Sequence, residues 1–204
     1  MKHFKKFSAL ALAGVMLLCF ASCSSSDLDP LSFAEEFNKN SETYQIDTAK
    51  FVEVKLSDGS KKRTCTFRSD NSNIGSFTLT AYIPSNSDAV DHISLILPID
   101  KLTLSGLLGT DDAEPATIPA ERKSAFKDLF LSLAQAYTGA SKSKAEGYFT
   151  EMGLDNDASY TTRATTDKTY GNYTFSFQVS ALTSSLKITN NKLASDTAAE
   201  SDAA

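Results

Sequence analysis

The stretch FKDLFLSLAQAYTG (residues 126–139) places Phe126, Leu129, Phe130, Leu133, Ala134 and Tyr137 at i, i+3, i+4, i+7, i+8 and i+11. That spacing predicts an α-helix with one apolar stripe. Pro119 stands near its start and Gly139 just past its end, where a helix of this kind begins and closes. Upstream the period is different. In FTLTAYI (77–83), Phe77, Leu79, Ala81 and Ile83 alternate with Thr78, Thr80 and Tyr82. In HISLIL (92–97), Ile93, Leu95 and Leu97 alternate with His92, Ser94 and Ile96. A period of two marks strands with one buried and one wet face, as in an antiparallel sheet. The change of period near residue 120 decides the class: α+β.

Working outward, Val52, Val54 and Leu56 predict a strand, and so do Cys65 and Phe67. Asp58-Gly59 between them predicts a two-residue hairpin loop. Ahead of these, Asp29-Pro30 opens a short helix with Phe33 and Phe37 on one face, because Asp caps and Pro suits the first helical position. After the long helix, Ser143 and Glu146 form a capping box for a second one. Its face holds Ala145, Tyr148, Phe149 and Met152. Gly153 closes it, and Leu154 packs back on the last turn. YTFSFQV (173–179) and the Leu186/Ile188 pair are strands again. Leu102–Leu108 is apolar but irregular, and residues 109–119 form an acidic loop. The expected order is α-β4-α2-β2: a curved antiparallel sheet of about six strands with a helix pair on one face.

The N-terminus reads as an address. Lys2, Lys5 and Lys6 precede an uncharged run, FSALALAGVMLLCF (7–20), and then the small residues Ala21 and Ser22. A basic start, a short apolar stretch and a small-residue exit are the marks of a signal peptide. The run is too short for a bilayer, which needs about 20 apolar residues. Phe20-Ala21-Ser22-Cys23 resembles the lipobox of bacterial lipoproteins, with Phe20 where Leu is usual. The resemblance implies cleavage between Ser22 and Cys23 and a diacylglycerol thioether on Cys23. The expected organisation is a signal peptide (1–22), a lipidated tether (23–30), one globular domain (31–190) and a disordered acidic tail (191–204). In its order of elements, the region 31–190 resembles small sheet-and-helix-pair bacterial lipoproteins. That likeness implies a fold and no activity.

Charge and cysteine use narrow the function. Removing the three signal lysines leaves 17 of the 20 Lys+Arg against 25 Asp+Glu, a net of −8 over residues 23–204. An acidic surface argues against nucleic acid, whose phosphates must be neutralised, and against broad electrostatic membrane contact. With Cys23 lipidated, Cys65 is left alone in an oxidising compartment and closes no loop. It reads as a buried small apolar residue rather than a reactive thiol.

Little catalytic chemistry is legible. His92 is the single histidine after residue 22 and reads as a solvated residue on a strand's outer face. No HExxH, GxSxG, GxGxxG or phosphate-binding loop occurs. Asp155, Asp157 and Ser159 open like a calcium loop, but Tyr160 and Thr166 stand where Gly and Glu are required. Asp111, Asp112 and Glu114 read as a solvated loop, and Lys61-Lys62-Arg63 as a solvated hairpin tip. No cofactor or metal is expected. The sequence therefore points to an envelope lipoprotein, bound to membrane lipid through Cys23, with a non-catalytic binding or scaffolding domain for which an envelope protein is a candidate partner. The location expected is the outer membrane in a two-membrane cell, and the polar SSSDLD stretch (24–29) resembles the segment that carries some lipoproteins to the cell surface. The alternatives are an enzyme with a carboxylate-based site and a carrier of a small apolar ligand.

Overall fold

The computed structural model describes residues 28–98, 118–161, 165–180 and 183–193. The elements run α1 (Pro30–Asn40), β1 (Glu53–Lys55), β2 (Lys61–Arg68), β3 (Ser76–Ile83), β4 (His92–Pro98), α2 (Ala120–Thr138), α3 (Lys142–Glu151), α4 (Ala158–Thr161), β5 (Thr165–Tyr170), β6 (Tyr173–Val179) and β7 (Thr183–Asn190). The fold is α+β. The sheet has seven strands in the order β1-β2-β3-β4-β7-β6-β5, and every neighbouring pair is antiparallel. Two meanders, β1–β4 and β5–β7, are joined where β4 lies against β7.

The expected order and strand count are corrected by β5 and α4. β5 is TTDKTY, with no apolar alternation to announce it. It exists because Gly171 takes a positive φ of 62° and, with Asn172, turns Tyr170 onto Tyr173. The helix pair is also a trio: α1 and α3 flank α2 on one side of the sheet. Phe37 of α1 stacks on Phe67 of β2 at 5.4 Å. Phe130 of α2 meets Phe175 of β6 at 5.7 Å and Phe149 of α3 at 5.2 Å. Phe126 meets Phe177 at 5.7 Å, and Tyr160 of α4 meets the same ring at 5.5 Å. The whole stripe from Phe126 to Tyr137 is enclosed.

Local signals act largely as the sequence suggests. The Asp29 carboxylate accepts from Leu31 N at 2.9 Å and Ser32 N at 3.2 Å, fixing the start of α1. Gly139 ends α2 in the left-handed region at φ 68°, and Gly153 does so after α3, with Leu154 N bonded to Phe149 O at 3.1 Å. Two details differ. Ser141, not Ser143, caps α3 by accepting from Lys144 N; Ser143 already lies within the first turn. The β1–β2 loop has three residues, Ser57 to Gly59, because Leu56 N pairs with Ser60 O at 2.8 Å and Gly59 N with Leu56 O at 3.1 Å. Gly59 at φ 85° supplies the left-handed residue that such a loop needs after a type I turn.

Both ends of the described chain are tied to the body. Leu28 O accepts from Val90 N at 2.9 Å, and Asn191 N donates to Asn172 O at 2.8 Å. Among the described residues, no helix is long and apolar enough to cross a membrane.

Candidate functional site

Ser22 and Cys23 lie outside the described residues, as do Asp111, Asp112 and Glu114. The outer face of the sheet is left open by the described helices. The described helices all pack on the other side, and the strand registers set the outer side chains in rows. One row is Thr64, Thr80, Ser94, Lys187, Ser176 and Asp167; a second is Thr66, Thr78, Ile96, Ser185, Gln178 and Thr165. The third crosses Lys62, Tyr82, His92, Thr189, Thr174 and Thr169. Eleven of these eighteen positions are Ser or Thr, so across β2 to β5 the face is mainly a hydrogen-bonding surface, with Ile96 within it and Val54 of β1 beside Lys62 as exposed apolar side chains. Neighbouring hydroxyls meet across strands: Thr64 and Thr80 at 3.2 Å, Thr169 and Thr174 at 3.0 Å.

Tyr82 and His92 of the third row line a cleft of about 520 Å³ beside the β1–β2 hairpin, together with Leu56, Asp58, Ser60 and Asp91 among others. Here His92 is not the solvated residue expected. Its ring stacks on Tyr82 at 4.3 Å and 14°, and its Nδ1 stands 2.9 Å from Asp91 Oδ1, with about a fifth of each side chain exposed. Asp91 is held by its backbone, which donates to Tyr82 O at 3.0 Å and accepts from Asn190 N at 2.8 Å. The carboxylate oxygen lies at ion-pair distance but without hydrogen-bond alignment. Among the described residues no hydroxyl hydrogen-bonds to this imidazole, so a Ser-His-Asp relay is not assembled. Asp58 accepts from the Ser60 amide at 3.0 Å and from its hydroxyl at 2.6 Å, bonds that hold its carboxyl below the usual carboxylate range.

The remaining singled-out residues do not converge. Cys65 is half-buried on the inner side, and burial pushes its thiol up to about 12. Lys61-Lys62-Arg63 is split by the strand period. Lys61 pairs with Asp88 at 3.1 Å, Arg63 Nη1 donates to Phe51 O at 2.7 Å, and Lys62 lies on the outer face. The acidic loop after α3 is tied to α2: Lys123 Nζ reaches Asp157 Oδ1 at 2.8 Å and the Asp155 carbonyl at 3.0 Å. Ser159 Oγ is turned away to Gly153 O at 2.7 Å. No group of three His, Cys, Asp or Glu able to hold a metal occurs among the described residues. Phe and Tyr rings pack against one another between the sheet and the helices.

The Asp91–His92–Tyr82 grouping escaped the sequence reading. Two signals pointed to it: His92 directly follows an acid, and it shares the outward phase of β4 with the outward Tyr82 of β3. Their lateral match depends on the β3–β4 register, which single-strand periodicity does not give. No family model matches the chain, and neither a curated protein nor a solved structure matches it.

Proposed function

We propose that this is a lipid-anchored envelope protein whose folded domain works by holding a partner on the outer face of the sheet. The observation that carries the reading is the three-row hydroxyl face. A surface of Ser and Thr side chains, flanked by Tyr82 and His92, offers many donors and acceptors and few charges, which suits recognition of an extended polar surface. The Cys23 anchor is supported by the order of basic, apolar and small residues ahead of it. Four residues separate Cys23 from Leu28, so the five Cα–Cα steps between them reach about 17 Å when fully extended. The Leu28–Val90 end of the body would then stay close to the bilayer.

Two measurements test this. Cys23→Ala should move the protein from the membrane pellet to the soluble fraction; a variant that still sediments after a carbonate wash removes the anchor. A photo-crosslinking residue in place of Ile96 should give a discrete adduct in cells, while one in place of Lys144 on α3 should not. Equal adducts from both positions would remove the outer face as the binding surface.

A further inference from the structure

The sheet ends in two unlike edges. β5 has Asp167 and Lys168 at its centre, the usual way of keeping an edge from pairing with another chain, and its Tyr170 packs inward on Tyr148 and Phe175. β1 is short and carries Glu53 and Lys55, but unlike β5 it also leaves an apolar side in water. Val52 is 63% exposed and Val54 50%, two of the four large apolar side chains left in water among the described residues. Among the described residues β1 pairs only with β2.

The backbone of β1 is also poised to pair. Leu56 N bonds to Ser60 O, and the register continues through Lys55↔Lys61, Val54↔Lys62 and Glu53↔Arg63. In an antiparallel ladder the bonded pairs alternate. Val54 therefore turns its amide and carbonyl toward β2, while Glu53 and Lys55 turn theirs to the open edge. The sequence VEVKL (52–56) is complementary to itself in the reverse direction. Pairing two copies about Val54 sets Glu53 against Lys55 twice, Val54 against Val54, and Val52 against Leu56. The outward backbone groups of Glu53 and Lys55 then complete four main-chain hydrogen bonds. Apolar residues meet on one side of the strand and opposite charges on the other, the arrangement that favours cross-strand pairing.

We propose that β1 is a homotypic docking edge: two copies of this chain associate through a twofold axis at Val54, joining their sheets into one. The ladder is short, so the contact is weak in dilute solution and is favoured wherever copies are concentrated. The partner is a second copy rather than another protein because the charge order of Glu53 and Lys55 is answered by the same segment reversed.

The test is disulfide trapping in the full chain. Val54 would face Val54 as a non-hydrogen-bonded pair, with Cα atoms about 4.5 Å apart, the closer of the two antiparallel spacings and within disulfide reach. Mild oxidation of Val54→Cys should give a covalent dimer, and Thr169→Cys on β5 should not; Cys65 is common to both. Adding Lys55→Glu should lower the trapped dimer by roughly five-fold or more, since two cross-strand charge pairs turn from attraction to repulsion. The swap Glu53→Lys with Lys55→Glu should restore it. A dimer no more abundant from Val54→Cys than from Thr169→Cys overturns the proposal, as does a yield indifferent to the single charge reversal. Neither result depends on Cys23, so the same trapping in a Cys23→Ala background separates this contact from the anchor.

Discussion

Leu95 and Ile96 are consecutive in β4, yet Leu95 is 1% exposed and Ile96 40%. The same contrast runs along β3, where Phe77, Leu79 and Ala81 are enclosed while Thr78 and Tyr82 keep contact with solvent. The two faces of one sheet are thus stabilised differently. The inner face is fixed by rings at 5.2–5.7 Å that interlock β6 with α2 and α3. The outer face carries short hydroxyl pairs such as Thr64 with Thr80, each of which replaces bonds that water also offers and is worth about 1 kcal/mol or less. Stability resides on the inner side, which leaves the outer side free to vary for recognition.

The sharpest way to break this comparison is Phe130→Ala. The ring is fully enclosed and touches Phe126, Phe149 and Phe175. Its loss should leave a cavity and cost about 3–5 kcal/mol in urea unfolding, a large share of the about 5–15 kcal/mol typical of a domain. A cost near zero would mean that α2 is not docked on the sheet.

How far such contrasts could be read in advance depends on what makes each element. α2 was legible because one helix face alone carries its signal, and every residue of the expected stripe is buried. β3, β4, β6 and β7 were legible for the parallel reason at period two. β1 shows the limit: Val52 and Val54 alternate as a buried strand would, but they lie on the side away from the helices at the sheet's margin, where nothing described covers them. β5 shows the opposite limit. Its residues carry no apolar face, and it is a strand because β6 is its template; the Gly171-Asn172 pair between two tyrosines was the only local mark. Likewise Asp91, His92 and Tyr82 meet through register and stacking, which periodicity within one strand does not encode.

An intermediate effect tests how α1 is set on the inner face. Asp29→Ala removes the side-chain cap of α1 and should cost about 1 kcal/mol at neutral pH. The Ser32 hydroxyl, with the Ser32 and Leu31 amides, holds the Asp29 carboxyl below its ordinary value, against a smaller opposing effect of burial. A folded pKa below the unfolded one gives stability that is present above the unfolded value, about 3.9, and is lost as pH falls through the folded value. The gap between wild type and Asp29→Ala should therefore hold at pH 7 and close in strong acid. A gap that widens on acidification would show that Asp29 acts through something other than its ionised cap.

The smallest effect belongs to Ile96→Thr. Ile96 sits between Thr78 and Ser185 on the outer face and gives up little packing when shortened. Threonine keeps the branched Cβ that suits a strand and adds a hydroxyl where its neighbours already carry them. Unfolding free energy should move by less than about 0.5 kcal/mol, as at other surface positions. The inner neighbour has no such latitude, since a hydroxyl at Leu95 would be shut away among apolar groups with no partner, at a cost of about 1–3 kcal/mol or more. Equal losses from Ile96→Thr and Phe130→Ala would mean that the outer face is itself packed against something in the folded state. The hydroxyl rows would then belong to a second core, and the open-platform reading of the sheet would fail with them.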